Sequence, residues 1–200
     1  MERGIYMKKT VLPMSMGDYT LRLIKEEDIN NYYESGFSFE DEEINRCTGS
    51  SSNVDMVSIE KYVHKIVTDD TRYDFLIIND KNEIIGESVI NEIDWENKCA
   101  NYRVCMFKSM NCGHGIGSKA IAKTIEFGFE TLKLNRIELE VFDFNTRAYK
   151  AYLKVGFIKE GVKRQGIIID NDYHNVIIMS ILAEDYEKQK GISIMESSET

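Results

Sequence analysis

This chain lacks the patterns that announce most binding chemistries. It has four cysteines, Cys47, Cys99, Cys105 and Cys112, with no C-x-x-C pair, and three scattered histidines, His64, His114 and His174. That arrangement spells neither a zinc site nor a disulfide framework, so no metal is expected and the thiols read as free. Long apolar runs are missing too. The longest, Val176 to Ala183, falls far short of the ~20 residues that span a bilayer and is interrupted by Ser180. Met1 to Gly17 has no apolar signal-peptide core, which makes a cytoplasmic location the expectation. Positive charge is in deficit: Lys and Arg total 25 against 34 Asp and Glu, a formal charge of -9. Such a balance disfavours nucleic acid and anionic membrane as partners and favours cationic ones.

What the chain does have suits one globular domain. Its 200 residues are 42% apolar and 10% aromatic, enough for a real core. Strand-like alternation occurs over Tyr19–Ile24, Tyr73–Ile78, Ile84–Asp94, Tyr102–Phe107, Arg136–Phe142, Phe157–Gly166 and Tyr173–Ala183. Helical spacing marks Glu26 to Tyr33, Val57 to Val67, the stretch through Ile121, Ile125, Phe129 and Leu132, and Thr146–Val155, which Gly156 closes. A loop is expected through Thr48 to Asn53, and Asp80 to Glu83 should turn an antiparallel hairpin. A meander followed by helical crossovers predicts an α/β fold, a mixed sheet with helices on both faces. The domain is expected over residues 19–184, with flexible segments at 1–18 and 185–200. An exposed edge among the last two strands offers a second copy a place to pair, so a homodimer is compatible with the sequence.

Two motifs carry chemistry. Asn111-Cys112-Gly113-His114-Gly115-Ile116-Gly117-Ser118 crowds glycines at a strand-to-helix junction. Glycine lets a ligand approach the backbone there, and the helix start offers unpaired N–H groups, so a diphosphate fits; a plain flexible turn is the other reading. The spacing is neither G-x-G-x-x-G nor G-x-x-x-x-G-K-[ST], which speaks against a nucleoside triphosphate enzyme. In the second motif Asn145 and Tyr152 lie nearly two helical turns apart, so they share a stripe with the small Ala148 between them. Asn145 also stands where an N-cap belongs, and Tyr152 reads equally as a core aromatic.

Arg103 to Phe107, the loop Cys112 to Gly117 with its helix, and Asn145-x-x-Ala148-x-x-x-Tyr152-x-Lys154-x-Gly156-Phe157 together resemble the two acetyl-coenzyme A motifs of the GNAT N-acetyltransferases. The ending, Gly166 through Asp170-Asn171-Asp172-Tyr173-His174-Asn175 to Leu182, resembles the branch holding spermidine N-acetyltransferases and enzymes that acetylate ribosomal-protein N-termini. The resemblance implies a mixed, mostly antiparallel sheet whose fourth and fifth strands splay, with the pantetheine arm of acetyl-CoA in the gap. It implies that Tyr152 is the general acid, since a phenol of pKa ~10 can give its proton to the departing thiolate. Main-chain N–H groups at Cys105, Met106 and Phe107 would hold pantetheine and polarise the thioester carbonyl. Lys154 would meet the 3'-phosphate, unless it is simply an exposed helical lysine. Family members usually carry Arg or Gln where this chain has Cys112, which leaves backbone donors from Gly113 to Ser118, with His114 beside them, to hold the diphosphate. Glu92 matches a position near the acceptor in the spermidine enzymes and is the first candidate for the base, followed by Glu87, Asp94, Glu138 and Glu140.

From Glu26 to Glu60 the chain holds ten acids, Glu26, Glu27, Asp28, Glu34, Glu40, Asp41, Glu42, Glu43, Asp55 and Glu60, against Arg46 and no other arginine. In the resembled family this region flanks the acceptor cleft, so a cationic amine, polyamine-like or a basic protein terminus, is the expected acceptor. A solvated acidic surface is the alternative. Ser35-Gly36-Phe37-Ser38-Phe39 could present aromatics to the acceptor's alkyl part. A module that binds coenzyme A without catalysis is the remaining rival.

Overall fold

The computed structural model describes residues 8–50 and 54–198, with side chains through residue 191. Residues 1–7 of the expected extension, 51–53 of the expected loop and 199–200 of the expected tail lie outside the described residues. The elements are β1 (Met14–Ser15), β2 (Thr20–Leu23), a short turn of helix at Glu26–Asp28, α1 (Ile29–Gly36), α2 (Glu42–Thr48), α3 (Met56–Thr68), β3 (Tyr73–Ile78), β4 (Ile84–Asp94), β5 (Cys99–Met106), a second short turn at Ser109–Asn111, α4 (Ile116–Glu130), β6 (Arg136–Phe142), α5 (Thr146–Val155), β7 (Ile158–Ile169), β8 (Asp172–Leu182) and α6 (Ala183–Ser198).

The strands form one sheet in the order β1-β2-β3-β4-β5-β6-β8-β7. Every pairing is antiparallel except β5 with β6. Alternate residues of β3 serve two cores. Tyr73, Phe75 and Ile77 join the core built on α4, while Leu76 and Ile78 join Tyr32, Ile59, Val63 and Ile66 from α1 and α3. A strand covered on both faces reads as an unbroken apolar run, and β3 is buried throughout. Local chemistry sets the helix ends. Asp55 accepts from Ser58 N at 2.8 Å to start α3, Asn145 accepts from Ala148 N at 3.1 Å to start α5, and Gly156, at φ 106°, ends α5 in the left-handed region.

Three elements depart from the expectations. Part of the expected extension is β1, with Met14 opposite Leu21. The expected loose tail is α6: Leu182 N donates to Asp185, Tyr186 stacks on Phe129 with centroids 5.2 Å apart, and both Tyr186 OH and Lys190 reach Glu130. Those anchors are single side chains rather than an apolar stripe, so periodicity does not reveal them. Helix α2 was hidden for the same reason. Asp41 caps it through Ile44 N and Gly49 stops it at φ 68°, yet none of its residues is buried.

The edge strand of the far side is β7, interrupted by register shifts between Lys159 and Gly161 and between Lys163 and Ile167. Beneath it, hydrogen bonds from Arg136 and then Ser180 hold the Glu160 carboxyl down at about 2. A carboxylate depressed on folding adds stability above its unfolded value, about 4.3, which is lost as pH falls toward 2. Solvent reaches this pair and keeps the effect small. Urea unfolding of Glu160→Gln should therefore fall less steeply than the parent over that window; parallel curves would exclude the linkage.

Candidate active site

Strands β5 and β6 pair only where Cys99–Asn101 meets Arg136–Glu138, and then part. Strand β5 stays on β4 as far as Met106, so its outer edge beyond Asn101 faces an open wedge. Phe107 N already donates to Ile85 O at 3.0 Å. By the alternation of an antiparallel ladder, the N–H groups of Met106 and Val104 are therefore the ones that face the wedge. The expectation for Cys105, Met106 and Phe107 narrows accordingly: the Phe107 donor is spent on the sheet, and Cys105 shares its direction.

The wedge opens into a cavity of about 1060 Å³. Cys105, Met106, Phe107, Cys112, Gly113, Gly115, Gly117, Ser118, Asn145, Ala148, Tyr152 and Lys154 all line it. Gly113 (φ 83°) and Gly115 (φ 78°) need the left-handed region, and a Cβ on either, or on Gly117, would meet no protein atom within 4 Å. Open space over the start of α4, which has no side-chain cap, is the shape a diphosphate requires. His114 is exposed and Ile116 turns its side chain into the core, and neither is among the lining residues. Helix α5 supplies charge instead: Arg147, Lys150 and Lys154 recur at helical spacing and line the same cavity. Arg147 stands close enough to Cys112 to act on its thiol, and it also pairs with Glu43 at 2.7 Å. The signal for that basic stripe in the sequence is its i, i+3, i+7 spacing.

Tyr152 sits at the inner end. Its ring is 5% exposed, crossed edge-on by Tyr102 (centroids 6.3 Å) and Phe157 (5.6 Å). A buried hydroxyl chain, Tyr102 OH to Ser88 Oγ at 2.7 Å and on to Thr124 Oγ1 at 2.7 Å, ties β5, β4 and α4 together beside it. Burial, then the nearby Cys105, raises the Tyr152 phenol, and among the described residues none hydrogen-bonds its hydroxyl. A raised phenol stays protonated at neutral pH, and Tyr152 lines the cavity. Burial, then Glu87, pushes the Cys105 thiol up to about 12, which keeps it from acting as a competing thiolate.

Glu87 supplies the carboxylate in the wall. It lines the cavity, accepts from Tyr32 OH at 2.5 Å and takes the Arg103 guanidinium on its other oxygen. Glu92, the first choice by resemblance, is not brought there. It lies exposed at φ 52°, where the register between β4 and β5 shifts, and accepts from Asn101 Nδ2. Asp94 holds the turn through Glu96 N, Asn97 N and Asn97 Nδ2. Glu138 pairs with Arg136, and Glu140, although it lines the cavity, pairs with Lys163.

The acidic stretch does not pave the cleft. Of its ten acids only Asp41 lines the cavity, and it is occupied by Ser109 N at 2.7 Å as well as by its own helix. Asp28 is clamped by Arg22, Glu26 meets His64, and Glu43 meets Arg147 at 2.7 Å. Phe37 and Phe39 do line it.

Residues 18–158 match the family described as Acetyltransferase (GNAT) domain. An uncharacterized N-acetyltransferase p20 of Bacillus licheniformis is 34% identical over 56% of this chain and 62% of its own length, so the match spans less than two thirds of that relative. A spermidine N-acetyltransferase from Vibrio cholerae, solved with CoA and spermine, superposes with a TM-score of 0.76 at 22% identity, covering 84% of this chain and 98% of that one. A ribosomal-protein-S5-alanine acetyltransferase from Vibrio fischeri gives a TM-score of 0.75 at 20% identity over 88% and 99%. At such identities these two likenesses establish the fold: a mixed sheet, mostly antiparallel, with helices on both faces and a splayed centre.

Proposed function

This chain belongs to the GNAT acetyltransferase family, and on that premise we propose that it moves an acetyl group from acetyl-CoA to a primary amine. The supporting observation is a buried, protonated phenol at the inner end of a cavity whose other end is a glycine-rich helix start. The residues present fit the donor. Backbone N–H groups from Gly113 to Ser118 and the Arg147, Lys150 and Lys154 stripe would hold its phosphates, and the N–H groups of Val104 and Met106 its pantetheine and thioester oxygen. When bound, acetyl-CoA supplies the activated acyl group; the chain supplies orientation and proton handling. Tyr152 gives its proton to the departing sulfur. Glu87 takes the amine's proton, directly or through one water.

An acceptor panel tests this by release of free thiol with spermidine, an aminoglycoside and a basic peptide. The reading expects turnover with at least one amine. Tight CoA binding with none would favour a sensing module. The polyamine reading draws on relatives that bear the spermidine acetyltransferase name, and the peptide reading on those named for ribosomal proteins. Within the working panel Glu87→Gln should lower kcat by about 10²- to 10⁴-fold, the range of a lost acid–base group, with Glu92→Gln close to the parent. The reverse order would restore Glu92 as the base.

A further inference from the structure

Resting on acetyl transfer at this site, we propose that the acceptor carries a carboxylate besides its amine, and that Arg103 reads that carboxylate. Arg103 lies on β5 with its side chain 44% exposed, and it lines the cavity. One contact runs from Nη1 to Glu87 and one from Nη2 to Tyr62 OH at 3.0 Å. Asp74, at 3.9 Å, is near enough for charge but not for a hydrogen bond. A guanidinium has five N–H donors in a fixed fork, so donors remain for a ligand, and that fork matches a carboxylate.

The neighbouring charges decide which sign the ligand meets. Glu87 and Asp74 are 6% and 3% exposed, and each is already answered. Glu87 holds Tyr32 and Arg103, whereas Asp74 holds Arg72 through two bonds of 2.8 and 2.7 Å and Tyr62 OH at 3.3 Å. Two buried acids thus balance two arginines, and the outermost member of the set is the Arg103 guanidinium. A polyamine entering this corner meets a cation; a carboxylate meets its partner. The adjoining walls, Phe37, Phe107, Ile59 and Val54, are apolar and suit an uncharged body. Two residues along β5, about 7 Å at strand spacing, is Cys105, whose thiol adjoins Tyr152. Glu87, the proposed base, touches the same guanidinium, so an amine at Glu87 and a carboxylate on Arg103 lie within the short span of one α-amino acid. The acceptor class is therefore an amine with a nearby carboxylate and an apolar body, as in an apolar amino acid.

The test compares leucine, leucinamide, a leucine-initiated peptide and spermidine by thiol release, with the parent protein and with Arg103→Gln and Arg103→Lys. The parent should favour leucine over leucinamide in kcat/KM by about 10- to 100-fold, the worth of a charged hydrogen bond. Arg103→Gln should raise KM for leucine and collapse that ratio toward one, and Arg103→Lys should restore part of it. Preference for the peptide over leucine would overturn the free carboxylate, as would equal use of leucine and leucinamide by the parent, a comparison that needs no variant to fold. Spermidine turnover with no leucine turnover would sink this inference and leave the acetyltransferase reading intact. No turnover with any amine would sink both.

Discussion

Tyr152→Phe is expected to cut kcat by about 10²- to 10⁴-fold with every acceptor while leaving CoA affinity nearly unchanged. The change deletes one oxygen. Among the described residues no group hydrogen-bonds that oxygen, so its removal leaves no partner orphaned and the ring still packs against Tyr102 and Phe157. On the proposed mechanism the loss is the proton for the departing sulfur, whose thiolate must otherwise leave unassisted. Single-turnover measurements alongside calorimetric titration with CoA separate the two effects. Unchanged turnover would remove Tyr152 from the chemistry.

Gly86→Ala is expected to be the most damaging small substitution, lowering stability by about 1–3 kcal/mol or more. Its Cβ would come within 2.4 Å of Cys105 O and 3.1 Å of Met106 Cα, both backbone atoms that no side-chain rotation can move aside. The backbone φ here is not left-handed, so the cost is collision alone. Relief requires β4 and β5 to separate at the place where β5 lines the wedge, and KM for acetyl-CoA should rise together with the fall in Tm. Gly117→Ala is the contrast, because its Cβ meets no protein atom within 4 Å and stability should hold. Equal Tm for the two variants would refute the steric account.

Elements that contribute a periodic face to a core were readable from the chain: β3, β4, β6 and α5 have the bounds their alternation or caps announce. Helix α2, strand β1 and helix α6 were not, because capping, two residue pairs and single aromatic or ionic anchors hold them. The site divides in the same way. The glycine loop and the Asn145 to Tyr152 stripe are local in sequence, so their spacing carries their geometry. The proposed base is not local. Glu87 and Glu92 differ by an odd number of positions, which in a regular strand assigns them opposite faces, but only the packing of Tyr32 and Arg103 shows which face meets the cavity. Sequence spacing does not reveal the setting of Arg103, because its partner Tyr62 lies 41 residues away.

Helix α2 owes nothing to either core, yet it is moored at Ser109, at Arg147 and, through Arg46, at Asp170. Mutations along it therefore carry little penalty for folding while altering the rim through which an acceptor enters. On the proposed reading, substitutions at its Arg147 mooring would reach the donor's phosphates, whereas those elsewhere on the helix would change the rim alone. Away from that mooring the entrance can drift while the interior stays fixed.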